Sequence, residues 1–513
     1  MNKNKFKLLA IVCCCVFTLS SCTYLPKTSE DNSVDMPEPK LKYDVPIGDS
    51  ESKYTYTANI YLPDKFTYKL NKKATEISLS LSDKIYEEIV EYVLDYKEDE
   101  VYASPTYNVK IGLYGETPVC IYKNHAIVNL TANALSLDRE QFYLLATCIS
   151  ETLVDFANIK SVNVLVADRA VSMNLLSNIP ISALEKQTSN APYADYIRLI
   201  ETRDGLNRGL KAIEIPTSLY FPTNLGEGIL AESRTISFTD SDPSYMITQL
   251  LRELSKGSRL YANNISIPNF VDLLSVAPEI SETNEGGNML TLKFKSVLED
   301  VLSNSKLNIN TALAMISYTI TSFYPDTAGV KIYIGDRLVD QLLPDSINYE
   351  ESLISGGIFT RKNMAKYLLK QTELYFSDIS GEKLLPVIRN TLFKNRINVR
   401  NNIIELSKGP AEMDYIIQAI IPSMPFEIKD SDILGNSLQD NTIIINFSKA
   451  VLENIKTLNS KEERIFVYSI VNTLCTWEQI KAVQFLFEGK TSDYIAGELY
   501  WATEFYPNYK ITY

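Results

Sequence analysis

Apolar and polar residues alternate along this chain in a succession that occurs three times. Each copy opens on a short apolar segment centred on a tyrosine: Asn59–Asp64, Ser218–Pro222 and Glu373–Asp378, with Tyr61, Tyr220 and Tyr375 in equivalent places. A helical pattern follows, and copies two and three end it alike, as Glu253-Leu254-Ser255-Lys256-Gly257 and Glu405-Leu406-Ser407-Lys408-Gly409. Glycine there can take the left-handed conformation that stops a helix. Next comes an alternating strand, at Ala126–Leu130, Met289–Phe294 and Thr442–Phe447, and after it a second helix whose apolar residues recur on a helical period. The cores of that helix are Phe142–Phe156, Thr311–Phe323 and Ile465–Trp477, with Thr152, Thr319 and Thr473 aligned; the third follows the capping-box spacing of Ser460-Lys461-Glu462-Glu463. A last strand closes each copy, at Val162–Val166, Val330–Ile334 and Val483–Phe487.

The aligned tyrosines recur about 155 to 160 residues apart, whereas solenoid repeats have periods of roughly 20 to 50, so each unit reads as a domain. The predicted fold is α+β: three tandem small domains over residues 58–200, 216–345 and 371–513, each a mostly antiparallel or mixed sheet packed on two helices. Upstream, Lys3, Lys5 and Lys7 precede an apolar run from about Leu8 to Leu19. That run is too short to span a bilayer, which takes roughly 20 residues, and it fits a secretory signal over residues 1–21. It ends in Leu19-Ser20-Ser21-Cys22, which resembles a bacterial lipobox and marks Cys22 as the lipid attachment site. Residues 22–57, rich in Pro, Ser and charge, read as a disordered tether.

Composition narrows the chemistry. The 513 residues carry 50 Lys plus Arg against 63 Asp plus Glu, a formal charge of -13, and no basic patch stands out, so nucleic acid is not an expected partner. With His125 the only histidine, a multi-histidine metal site is excluded. Once the signal is gone and Cys22 is lipidated, Cys120, Cys148 and Cys475 remain, widely spaced and odd in number, so apolar cores must hold an exported chain without a disulfide framework. No cofactor or metal is expected.

The third copy carries a family resemblance. With TELYFSD at its start, IELSKGP in the middle, NTIIINFSKAVLEN before the second helix and RIFVYSIVNTLCTWEQIKAVQFLFEGK at its end, it resembles the GerMN domain of spore-germination GerM-like lipoproteins. Copies one and two join the family through their match to copy three. The resemblance implies a non-enzymatic extracytoplasmic lipoprotein of a spore-forming, Gram-positive-type bacterium, held at the outer face of the cell membrane. It also implies compact domains similar to ring-building modules, which act through envelope or sporulation proteins or through self-assembly. Family members usually carry two such domains, and three depart from that arrangement.

Reactive patterns are few. Ser303-Asn304-Ser305-Lys306 has the Ser-x-x-Lys spacing of a serine acyl enzyme, but copy three has Leu458 at the serine position, so the shared Asn-Ser-Lys reads as a helix start. A glycosidase needs paired carboxylates, and the copies share no acidic pair, although a pair in one copy would escape this comparison. His125, between polar neighbours at a strand entrance, reads as a turn or surface residue. The aligned threonines read as helical residues returning their hydroxyls to a carbonyl one turn earlier. The aromatic stretch Tyr494–Tyr506 reads as closing the third sheet or as a contact surface. A ligand- or wall-fragment-binding lipoprotein and an envelope hydrolase are the rival functions.

Overall fold

The computed structural model describes residues 42–49, 54–173, 178–187, 189–207, 212–261, 265–283, 286–395, 397–411 and 420–512; the signal segment, Cys22 and the first part of the tether lie outside them. Val45–Tyr513 form one compact unit, separate from Met1–Asp44, and the description concerns that unit. After a two-residue strand β1 (Gly48–Asp49), copy one opens on a hairpin in which β2 (Tyr54–Pro63) pairs antiparallel with β3 (Leu70–Leu79), from Tyr54↔Leu79 to Pro63↔Leu70. Burial alternates along β2 as far as Tyr61, as one wet face requires, with Ala58, Ile60 and Leu62 on the buried face. Helix α1 (Ile85–Asp95) follows, then β4 (Val119–Ile121) and β5 (His125–Leu130), helix α2 (Arg139–Phe156), β6 (Ser161–Val166), β7 (Ala183–Glu185) and helix α3 (Pro192–Asn207). Asp138 caps α2 reciprocally with Gln141, so the chain leaves β5 with its first helical N–H groups satisfied.

Copies two and three repeat this order. Copy two has the hairpin β8 (Ile213–Pro222) and β9 (Ile229–Phe238), helix α4 (Pro243–Leu254), β10 (Glu279–Glu282), β11 (Asn288–Phe294), helices α5 (Leu298–Asn304) and α6 (Ile309–Thr321), and β12 (Thr327–Ile334). Short strands β13 (Arg337–Leu338) and β16 (Ile358–Phe359) add to β12, while β14 (Gln341–Leu342) pairs with β15 (Ser352–Leu353). Copy three has the hairpin β17 (Leu369–Asp378) and β18 (Leu384–Leu392), helix α7 (Val399–Ser407), β19 (Ile420–Ile421) on the edge of β17, β20 (Ile433–Gln439), β21 (Thr442–Phe447), helices α8 (Lys449–Ile455) and α9 (Ser460–Leu474), and β22 (Ala482–Phe487).

In every copy the strands divide between the hairpin and a mixed sheet. Within the sheet, β5 and β6, β11 and β12, and β21 and β22 run parallel, because a helix carries the chain from one to the next, and an antiparallel neighbour flanks each first strand. The expected α+β class is therefore present as a mixed, helix-crossed sheet. The cores do not follow the sequence copies: one continuous cluster runs from Ala58 to Leu369 through copies one and two, and a second runs from Leu374 to Phe505 in copy three.

Several boundaries move. The tether was expected to reach residue 57, but β2 begins at Tyr54 and β1 pairs in parallel with β20, Gly48 opposite Gly435, so the segment before the first hairpin is bound to the third sheet. Residue 200 falls inside α3, and β16 extends copy two beyond residue 345, since each segment covers apolar surface of the copy before it. Ser303–Lys306 is the end of α5 and not a helix start: Ser305 Oγ bonds back to the Val301 carbonyl oxygen and Lys306 has a φ of 58°. Asn308 caps the following helix. In copy three the cap is Asn459, boxed with Glu462, one residue earlier than the sequence spacing suggested.

Candidate functional site

The aligned threonines and aligned tyrosines meet. Thr152 Oγ1 accepts a hydrogen bond from the Tyr61 backbone N–H at 3.1 Å, Thr319 Oγ1 from Tyr220 N–H at 3.1 Å, and Thr473 Oγ1 from Tyr375 N–H at 3.0 Å. The expectation of a bond to the helix's own carbonyl is thus replaced by a clip between the second helix and the first hairpin strand. The clip satisfies a strand N–H that the hairpin partner does not reach. Gly257 and Gly409 do stop their helices, with φ of +74° and +81°. Arg234 on β9 and Arg389 on β18 donate to the carbonyl oxygens of these two glycines, at 2.8 and 3.1 Å. Their guanidinium groups lie over Phe221 and Phe376. These repeated groups hold a fold together.

His125 is corrected from surface to core: it lies on β5 with no exposed area. Its Nε2 is 2.7 Å from Ser218 Oγ and its Nδ1 is 2.9 Å from Ser161 Oγ. Asn163 Nδ2 donates to Ser218 Oγ and to the Ser322 carbonyl oxygen, each at 2.9 Å. Arg361 extends the network by donating to Ser322 Oγ at 2.7 Å and lying over the Tyr318 ring. A serine against a histidine suggests nucleophilic chemistry, but the ring's other partners are a serine hydroxyl and a backbone oxygen, with no carboxylate to orient it. Burial lowers the histidine's pKa from 6.5 to about 3, so it stays neutral and joins copy one to copy two.

The cysteines Cys120 and Cys148 are buried and free, and burial raises both thiols well above their usual range, Cys120 to about 12. Among the described residues no group of three His, Cys, Asp or Glu is placed to hold a metal ion, and no helix is long and apolar enough to cross a membrane. The C-terminal aromatic stretch divides: Trp501 is fully buried and Phe505 pairs with Val483, whereas Tyr494, Tyr500 and Tyr506 face outward. Glu463, also without exposed area, organises that stretch by accepting from the Trp501 indole N–H at 2.8 Å and from backbone N–H groups of Ala496, Glu498 and Leu499.

A concave site lies where residues of the three copies converge. A cavity of about 490 Å³ takes Tyr86 and Tyr122 from copy one, Tyr261 from copy two, and Gln371, Thr372 and Trp477 from copy three. Its frame is held by Lys370, whose ammonium pairs with the Asp83 carboxylate and donates to the Phe393 carbonyl oxygen at 3.1 Å. The Asp83 N–H also donates to the Ile397 carbonyl oxygen at 3.0 Å. Of these lining residues the sequence pattern named Trp477 alone, and only as the end of a helix core. They occupy different places in their copies, so no repeat or local motif marks them.

Residues 373–493 match the family model described as Germane: Sporulation and spore germination. A comparison with curated proteins returns no match. Among solved structures, the chain is similar to the tandem GerMN domains of the sporulation protein GerM from Bacillus subtilis, at 15% identity over 58% of this chain and 99% of that one, with a TM-score of 0.22. The first GerMN domain of the same protein aligns at 16% identity over 26% of this chain and 96% of that one, with a TM-score of 0.20.

Proposed function

We infer the function of this chain from the membership of its residues 373–493 in the Germane family of sporulation and spore-germination domains. The proposed protein is a non-enzymatic lipoprotein, anchored outside the cell membrane through Cys22, that serves sporulation or germination as a structural and interaction module. Its partners are envelope or sporulation proteins, or further copies of itself, met through sheet edges and helix faces. The observation that carries the reading is the family match, and the shared side chains support it. Those common to the copies, the Thr–Tyr clips and the Arg–Gly clamps of copies two and three, close backbone hydrogen bonds and hold no reactive group. Duplication that keeps a scaffold and no chemistry favours surfaces over catalysis.

The experiment is the titre of heat-resistant spores from a strain lacking the gene, complemented with the intact protein or with Cys22→Ala. A large loss restored only by the intact form is expected. Wild-type spore numbers together with normal germination in the deletion strain would remove the developmental role, and full rescue by Cys22→Ala would remove the anchor.

A further inference from the structure

The chain arriving from Cys22 does not join the folded unit at copy one, where its first domain begins. It joins at copy three, through Val45–Asp49. The Val45 side chain lies against Gly489, just past the end of β22, where a Cβ would come within 3.1 Å of it. Pro46 is buried, and its carbonyl oxygen accepts a hydrogen bond from Asn446 Nδ2 on β21 at 3.3 Å. Gly48 and Asp49 then pair in parallel with Gly435 and Asn436 of β20. Gly435 sits at the irregularity between β20 and β21, and only a residue without a side chain admits the Gly48 carbonyl oxygen, since a Cβ there would be 2.6 Å from it. Copy one's own hairpin starts later, at Tyr54. The segment therefore has a short hold on copy three upstream and a long, ten-residue pairing in copy one downstream.

The two holds act differently on an anchored chain. Joined at Val45, the 23 residue steps from Cys22 reach at most about 80 Å. Joined at Tyr54, the 32 steps reach about 110 Å, and the point of attachment passes from copy three to copy one. A pairing of two residues at a sheet edge belongs to the low end of the local openings a fold permits. Its loss leaves the sheet whole, because β20 keeps its ladder to β21 from Ile433↔Phe447 to Gln439↔Thr442. We propose that Val45–Asp49 form a releasable strap that transfers the membrane anchor to copy three. Closed, it holds the copy that matches the Germane model toward the membrane and leaves the tip of copy one's hairpin farther out. Open, it lengthens the tether and hands the anchor to copy one. The strap deepens the reading of Cys22 as the lipid attachment site and rests on it for its role in the cell.

The test supplies the anchor artificially, so its outcome is separate from whether Cys22 is lipidated. The chain from residue 22, carrying Cys22→Ala, Cys475→Ser and an N-terminal hexahistidine, is held on phosphatidylcholine vesicles that contain a nickel-chelating lipid. Energy transfer to an acceptor in the membrane is read from a dye at Lys490→Cys, beside Gly489, or at Phe66→Cys, in the turn of the first hairpin; both positions are exposed. With the strap closed, transfer from position 490 should exceed that from position 66. Two variants open it: Gly435→Ala, and Gly48→Pro, which cannot keep the φ of +75° that Gly48 holds. In both, hydrogen exchange should show residues 47–49 losing protection, transfer from position 490 should fall, and the difference between the two positions should vanish. Equal transfer from the two positions in the parent chain would overturn the proposal. So would a difference that survives once residues 47–49 have lost protection, or protection of those residues that persists in both variants.

Discussion

At the residue scale, His125 shows how a side chain with a reputation for chemistry becomes a structural part. Its two ring nitrogens are spent on Ser161 and Ser218, and its site excludes water. Because burial depresses its folded pKa from 6.5 to about 3, the unfolded chain takes up a proton that the fold refuses. Stability from this group is therefore complete above about pH 6.5 and falls as pH drops toward 3, by roughly 2 kcal/mol at pH 5. A His125→Asn variant should be less stable than wild type at pH 7 but lose less stability between pH 6.5 and 4.5, as read by urea unfolding. Parallel slopes would show that the histidine does not titrate this way. Sequence placed His125 at the start of a strand but outside the core, because its polar neighbours Lys123 and Asn124 suggested a turn. Only the partner strand β6 and the strand β8 of the next copy, which supply Ser161 and Ser218, reveal where it goes.

At the element scale, the N-terminal segment is the feature that periodicity could not reach. β1 is two residues long and carries no alternation of its own, yet it covers the outer edge of β20. The approach is close: a Cβ on Gly435 would lie 2.6 Å from the Gly48 carbonyl oxygen and 2.7 Å from that of Pro46. Asn446 Nδ2 donates to the same Pro46 oxygen at 3.3 Å. Both obstacles are backbone, which cannot swing aside, so Gly435→Ala should release the segment while leaving the sheet intact. Hydrogen exchange by mass spectrometry should then show residues 47–49 losing protection with β21 and β22 unchanged. Retained protection would mean that the edge accommodates a methyl group. By contrast, the long elements were legible: the second helices fall where a helical period placed them, since their buried faces are nearly continuous and their caps lie just ahead.

At the scale of the whole molecule, two large apolar clusters and a small one of Tyr375, Leu384 and Ile465 form among the described residues, and they do not map one to each sequence copy. The cluster from Ala58 to Leu369 joins copies one and two, with the network of His125, Asn163, Ser218 and Arg361 inside the seam, while copy three keeps its own. Native-state hydrogen exchange should accordingly show the slowest amides of 58–369 opening together and those of 374–505 as a separate set. Three independent sets, one per copy, would show that the shared core does not couple the first two. The cleft between the copies lies at this same scale, where residues far apart in sequence converge.

Sequence by itself determined what is local and repeated: the threefold succession of elements, the mixed α+β character, the glycine stops, and the family resemblance of copy three, which residues 373–493 bear out. Those features follow from periodicity and capping, which act over a few residues. Tertiary structure decided what depends on neighbours distant in the chain: the pairing of β1 with β20, the burial of His125, the meeting of each threonine with its tyrosine, and the cleft between the copies. The physical reason is that burial and hydrogen-bond satisfaction belong to a place in space, and residues from different copies reach that place without any shared pattern along the chain.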